Sequence, residues 1–410
     1  MNGTAATRTG GFLRSVGPAI IVGSVVLGPG TILAATKTGC AFGYDLVWLV
    51  VGVGLLMFGM TALSARLGVT CEGTPCDELA RHAGRPLAAL VGVVLFLVVA
   101  CFQFSNNIGV LAAITPFVDG TGSWPIAVLV GLNVAVILAL FRFRRLYRPV
   151  EVLMKALVLL MVVGFAGNMI IVRPSLSATA GGLVPRLPET TGAGFVPVIG
   201  LVATTFSVAG AFFQAYLVRK RGWTAANLRQ GLVDSAVGIG VLAAVTAMIM
   251  ITSAAVLHGS VNPGDLKGAD HVAHVLEPLL GGGAKALFCV GLMAGALSSF
   301  LVNAMIGGTV LSDGLGLGSD VDGRWPRLFT VAALLVGMGV AIPVHQSGQK
   351  PVDLIVFAQA LTVLGNPLLA GTLLWLAFRR PSPMWLRALV TAGVVVTVVL
   401  AWRKGVGLFG

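Results

Sequence analysis

Residues 17–35 read GPAIIVGSVVLGPGTILAA. The run is apolar almost throughout and long enough to cross a bilayer as a helix. In its middle stands Gly28-Pro29-Gly30-Thr31. Proline removes a backbone hydrogen bond and glycine admits non-helical torsions, so the helix is expected to break there. A helix broken at mid-membrane turns unpaired amides and carbonyls towards a cavity. The competing reading, small residues that only permit close helix contact, leaves the proline unexplained. Arg8 and Arg14 precede the run as they would in a signal peptide. Cleavage is not expected, because the run reads as the first of many spans.

Working outward, similar apolar runs recur to the end of the 410 residues, of which 57% are hydrophobic and 10% charged, with mean hydropathy +0.96. So little charge cannot cover the surface of a soluble domain of this size. The runs are too long and too uniformly apolar for barrel strands. The expectation is an all-α integral membrane protein with about eleven transmembrane helices, at 13–36, 44–68, 86–114, 124–142, 150–172, 196–218, 232–257, 283–311, 327–345, 353–378 and 384–402, forming one domain over 1–410.

The net charge of +12 does not point to nucleic acid, because the charges cluster in short segments between apolar runs. With the N-terminus placed inside, inner segments hold eighteen of the 27 Lys and Arg and outer segments eight; Lys155 falls within a span. That asymmetry follows the positive-inside rule and implies a multi-pass protein of the cell membrane with a cytoplasmic N-terminus. Clusters such as Arg142 to Arg148 are then topology signals, with binding of anionic lipid secondary. The five cysteines (Cys40, Cys71, Cys76, Cys101 and Cys289) show no metal-ligand spacing. No cofactor is implied. No nucleophile–base pair or phosphate loop suggests an enzyme. The expected partners are the lipid bilayer and a small-molecule or ion substrate.

In the sixth span, Ser207-Val208-Ala209-Gly210 follows Thr204-Thr205, a small and polar patch that admits a second interruption at a corresponding place. Further residues carry a resemblance. Gly28-Pro29-Gly30-Thr31, Gly39, Phe42-Gly43-Tyr44, Trp48, Ser64-Ala65-Arg66-Leu67-Gly68, Arg85-Pro86, Tyr147-Arg148 with Glu151, Ser298-Ser299, and Gln359 with Pro367 follow one another in order along the chain. In this the chain resembles the NRAMP (natural resistance-associated macrophage protein) divalent-metal transporters. The resemblance implies a LeuT-like fold of two inverted five-helix repeats, about 13–172 and 196–378, with an extra helix at 384–402. It also implies a site between spans one and six.

The departures concern the site. Where NRAMP carriers have Asp-Pro-Gly-Asn, this chain has Gly28 and Thr31 in place of the acid and the amide. Where they have Met-Pro-His-Asn, it has Ser207, Val208, Ala209 and Gly210. The family's acidic proton-route positions on the third span align with Gln103 and Asn106, and a histidine of the sixth with Gln214. Gln359 alone of the ligand set remains. The site residues expected from the resemblance are thus Gly28, Gly30, Thr31, Thr205, Ser207, Ala209, Gly210 and Gln359, with Gln103, Asn106 and Gln214 at former proton-route positions. Asn107, Thr204, Ser298, Ser299 and Asn303 complete a polar but uncharged set. A bare divalent ion among neutral groups is costly, so the leading expectation is a carrier retuned for a small neutral or zwitterionic solute, not proton-coupled by the family route. Two alternatives stand beside it. One is a low-affinity divalent metal cation transporter moving a largely hydrated ion. The other is a non-transporting sensor or membrane enzyme on the same scaffold.

Overall fold

The computed structural model describes residues 17–118, 122–143, 145–186, 196–266, 272–273, 281–346 and 351–409; at 196, 351–361 and 404–409 it describes the backbone alone. The first half of the chain forms α1 (Pro18–Val26), α2 (Pro29–Phe42), α3 (Val47–Thr70), α4 (Pro75–Ala83), α5 (Arg85–Ile114), α6 (Trp124–Arg142), α7 (Tyr147–Val172) and the short α8 (Leu176–Gly181). The second half forms α9 (Val196–Thr205), α10 (Val208–Lys220), α11 (Leu228–Val256), α12 (Gly282–Gly314), α13 (Arg324–Gln346), α14 (Pro351–Arg379) and α15 (Met384–Phe409). Among the described residues nine helical stretches are long and apolar enough to span a membrane, and the pair α1–α2 makes ten. The remaining expected span corresponds to α14, which is 29 residues long.

The break in the first span falls where the sequence places it. Pro29 has no N–H for the Val25 carbonyl, and its ring drives the preceding Gly28 into an extended conformation (φ −78°, ψ 177°). Helix α1 ends at Val26, and α2 restarts with Pro29 in its first turn, 58° off the axis of α1. In the sixth span the interruption is smaller and one step earlier than expected. Phe206 and Ser207 alone separate α9 from α10, and Val208, Ala209 and Gly210 are already helical. Ser207 is the N-cap of α10, its Oγ accepting from the Gly210 amide.

Close backbone contacts seat the broken span. A Cβ on Gly23 of α1 would stand 2.6 Å from the Gly238 carbonyl of α11, and one on Gly238 would stand 2.4 Å from the Ala19 carbonyl. Hydrocarbon gives helices little reason to associate, so such contact between small residues is what holds α1 to α11. The start of α1 is fixed electrostatically as well. The buried Asp234 of α11 accepts from the Gly17 amide (2.7 Å) and the Ala19 amide (2.8 Å), satisfying helix N-terminal donors and their partial positive charge. Beyond the break Ser253 donates to Thr36 O (2.6 Å) and Thr38 to Pro197 O (3.1 Å), tying α2 to α11 and α9. The apolar exterior lies on the peripheral helices: Leu138, Val152, Leu159 and Ile170 of α6 and α7 are all more than half exposed, as a lipid-facing surface requires.

Candidate substrate cavity at the broken helices

The two interruptions face each other across a cavity of about 30 Å³. Gly28, Gly30 and Thr31 line it from the first span, Ser105 and Asn106 from α5, Thr204 and Ser207 from the sixth span, and Ser299 and Asn303 from α12. Val25, Val26 and Phe102 complete the wall. That volume is of the order of one ion with a water or two, since a single water needs about 10–15 Å³ by this measure.

Hydrogen bonds decide which way these polar groups point. The end of α1 frees the carbonyls of Ser24, Val25 and Val26, and each is already taken. Ser298 Oγ donates to Ser24 O (2.9 Å), Ser299 Oγ to Val25 O (2.6 Å) and Thr31 Oγ1 to Val26 O (2.6 Å). The Leu27 carbonyl packs against Gly295, where a Cβ would stand 2.4 Å from it. Contrary to the expectation from the sequence, the carbonyls at the first break are therefore not free, and each accepts from one hydroxyl. A carbonyl can only accept, so the hydrogens of Ser299 and Thr31 are committed away from the cavity and their oxygens present lone pairs to it. Thr204 is oriented likewise, donating to Gly200 O (2.8 Å). The Asn106 amide nitrogen donates to Gln103 Oε1 (2.7 Å), which turns Asn106 Oδ1 towards Gly28. Ser207 is the opposite case: its Oγ accepts from Gly210 N, leaving its hydrogen free to turn inward.

The helix dipoles do not settle the sign of the site. The C-termini of α1 and α9 and the N-termini of α2 and α10 all converge here, and partial charges of about half a unit each oppose pairwise. The side-chain oxygens tip the balance towards positive charge. Among the described residues no group of three or more His, Cys, Asp and Glu is placed to hold a metal ion.

Of the residues singled out from the sequence, Gly28, Gly30, Thr31, Asn106, Thr204, Ser207, Ser299 and Asn303 line the cavity. Gln103 sits behind Asn106 and donates to Phe300 O (2.7 Å). Thr205, Ala209 and Gly210 are buried outside it; Thr205 Oγ1 has no partner among the described residues, and Gly210 packs towards Val22 and Val25 of α1. Gln214 is remote from the cavity and donates to Asp234 Oδ2 (3.1 Å). The Gln359 side chain lies outside the described residues. Ser105 and Phe102 went unmarked in the sequence, although Ser105 adjoins Asn106.

Below the cavity the acidic side chains hold helices together. Glu151 of α7 accepts from Lys155 (2.7 Å) and from Arg221 (3.0 Å), just beyond α10. Asp313 of α12 accepts from Tyr216 of α10 (2.6 Å) and from Thr74 (2.5 Å), itself the N-cap of α4. Glu78 of α4 pairs with Arg380 (3.0 Å) and Arg81 (3.2 Å). Arg219 donates to the carbonyls of Gly68, Cys71 and Glu72. Helix α4 is thereby strapped across the ends of α3, α10 and α12.

A family model described as natural resistance-associated macrophage protein-like matches residues 19–404. The chain belongs to the Nramp family. Relatives include proteins named divalent metal cation transporter MntH. The one from Deinococcus radiodurans is 28% identical over 418 residues, covering 99% of this chain and 92% of its own. The one from Mycobacterium tuberculosis is 25% identical over 359 residues, covering 86% and 80%. Among solved structures, the Eremococcus coleocola manganese transporter in complex with an aromatic bis-isothiourea compound superposes with a TM-score of 0.82 at 21% identity, covering 100% of this chain and 90% of that one. MhsT in complex with L-phenylalanine gives 0.58 at 15% identity, covering 98% and 100%. These likenesses establish the LeuT-like fold for this Nramp chain, a multi-pass membrane protein whose relatives are transporters and not enzymes.

Proposed function

We propose that the protein is a transporter of divalent metal cations in the cell membrane, with its N-terminus in the cytoplasm, and that it moves an ion retaining part of its water shell. The observation that carries this reading is the orientation of the cavity oxygens. Asn106 Oδ1, Ser299 Oγ, Thr31 Oγ1 and Thr204 Oγ1 are all held as acceptors by bonds their hydrogens make elsewhere. Such a wall suits a hard cation that prefers oxygen. Among the described residues it offers no carboxylate, imidazole or thioether for tight capture of a transition metal. A fully stripped divalent ion would find too little charge compensation, whereas the volume admits an ion together with a water. The names of the MntH relatives support a metal cargo. The expectation of a neutral or zwitterionic solute finds no support among them, and an anionic headgroup would meet the oxygens of four side chains.

Weak neutral ligation implies low affinity, with half-saturation of about 0.1–1 mM, the range of loosely charged sites. With Gln103, Asn106 and Gln214 at the former proton-route positions, entry is not driven by a proton gradient along that route. The test is Mg²⁺ and Mn²⁺ entry into proteoliposomes loaded with a metal-sensitive dye, beside empty vesicles, with and without a protonophore. Saturable entry of either ion, indifferent to the protonophore, is the expected result. Entry no faster than into empty vesicles, from protein that elutes as a single folded species, would overturn the proposal.

A further inference from the structure

Gln103 does not touch the cavity, yet the structure assigns it the task of setting the cavity's polarity. The inference rests on the reading of the cavity as a cation site. A carboxamide has a donor end and an acceptor end of nearly the same shape, so an asparagine beside a cavity can face it either way. At Asn106 the choice is imposed from outside. The Phe300 carbonyl of α12 can only accept, and Gln103 meets it with Nε2 at 2.7 Å. The other end of that amide, Oε1, is then turned to Asn106, whose Nδ2 donates to it at 2.7 Å. Asn106 is left with Oδ1 inward, 3.6 Å from where a Cβ on Gly28 would stand. One backbone carbonyl thus dictates, through two amides, that oxygen and not N–H faces the ion.

The stem of Gln103 is fixed as well. It lies against Gly337 of α13, where a Cβ would come within 2.3 Å of Gln103 Cβ. The turn that carries it is pinned by Asn107, whose Nδ2 donates to Gln103 O (2.8 Å) and whose Oδ1 accepts from Asn133 of α6 (2.9 Å). Gln103 and Asn106 are both buried, so neither amide has bulk water as a substitute partner. We propose that Gln103 is a positioning residue for cation selectivity, acting through Asn106.

The alternative is that Gln103 only joins α5 to α12. The two roles separate in a double-mutant comparison of Mg²⁺ entry into proteoliposomes. Gln103→Leu keeps the volume but leaves Asn106 Nδ2 without a partner whenever Oδ1 faces the ion. One buried donor left unpaired is expected to raise the half-saturating concentration about tenfold, with the maximal rate per folded protein little changed. In an Asn106→Asp background the side chain has an oxygen at both ends and needs no orienting partner. There, Gln103 Oε1 faces an oxygen in place of a donor, so Gln103→Leu is expected not to raise the half-saturating concentration. Gln103→Met serves the same comparison if the leucine variant does not fold. An equal effect in both backgrounds, or a fall in maximal rate alone, would overturn the inference. So would an unchanged half-saturation in the single variant. The wild-type measurement separates the two levels: no divalent entry at all sinks the cation reading itself, whereas normal entry with an indifferent Gln103→Leu sinks only the role given to Gln103.

Discussion

Gly109 lies one turn beyond Asn106 on α5, at the point where this helix meets the break in the first span. A methyl added there by Gly109→Ala would stand 2.1 Å from Cγ and 2.7 Å from Cβ of Pro29, and 3.3 Å from Cβ of Ala296 on α12. Carbon atoms in contact sit about 3.5–4.0 Å apart, so Pro29 must retreat by about 1.5 Å. Its ring is part of the backbone and has no rotamer to escape into, so α2 or α5 moves as a unit. Two effects oppose each other. Alanine in a helix interior is favoured over glycine by about 1 kcal/mol. Overpacking of a tight contact costs about 1–3 kcal/mol, more where nothing flexible can yield. The clash wins, for a net loss of about 1–2 kcal/mol. The functional loss should exceed the loss of stability, because the flanking Gly28 and Gly30 wall a cavity of only about 30 Å³. The assay is metal entry per folded protein in proteoliposomes, with the unfolding midpoint taken in the same detergent. Gly131→Ala on α6 is the control, since a Cβ there meets nothing within 4 Å and gains only the helix preference. Gly109→Ala protein as active and as stable as the Gly131→Ala control would refute the reasoning.

Tyr216→Phe removes one of the two hydroxyl donors to Asp313, and the loss, about 2 kcal/mol, should appear as faster amide hydrogen exchange in α4 and α10 with α15 unchanged. The Glu78 carboxyl is pushed up by burial, but the Arg380 hydrogen bond, the Gly73 amide and the charges of Arg380 and Arg81 together outweigh this and hold it below its ordinary value of 4.5. A group depressed in the folded state contributes stability above its ordinary value and loses it as pH falls through the lowered one. Protection of the α4 amides, corrected for the intrinsic pH dependence of exchange, should therefore be flat near neutrality and fall only in acid below about pH 4.5, and Glu78→Gln should abolish that fall. Gly28→Asp places a Cβ 2.6 Å from Ser299 Oγ, which can rotate off Val25 O to make room. A carboxylate about 4 Å from a cation is worth a few kcal/mol at an effective dielectric near 20, so Mn²⁺ should bind at least about tenfold more tightly, as read by titration; unchanged affinity would show that position 28 does not face the ion.

The fold was legible in the sequence because its signals are local: apolar length, the charge of short connecting segments, and the backbone chemistry of Gly28-Pro29-Gly30. The site was half legible for the same reason. Residue types at the first break could be named, but the direction of each hydroxyl and amide depends on partners far along the chain. Ser299 reaches Val25 across 274 positions and Gln103 reaches Phe300 across 197. The second break lacked a proline, so nothing local fixed it, and it moved from Ser207–Gly210 to Phe206 and Ser207. Gln214 was drawn to the site by resemblance, while in the fold it serves Asp234. Position along a helix does not say which neighbour a side chain will meet.

The distribution of acids explains how a neutral cavity can still belong to a moving carrier. Asp234, Glu151, Asp313 and Glu78 all lie away from the cavity, and each holds a helix end or joins two helices: α1 to α11, α7 to the end of α10, α10 and α4 to α12, and α4 to the segment before α15. A buried carboxylate is stable only where donors surround it, so the sites with the most donors, helix N-termini and arginine-bearing loops, are where these charges persist. Their removal from the cavity means that an ion need not exchange its water for a full negative charge on entry, nor break such a pair on leaving. For the proposed cation this predicts low affinity and fast release. The strong interactions instead tie the start of α1 and the end of α10, the segments that run on into the two breaks. For the proposed cation this arrangement predicts that the barrier to transport lies in parting charged helix ends and the selectivity in the direction of a few uncharged oxygens.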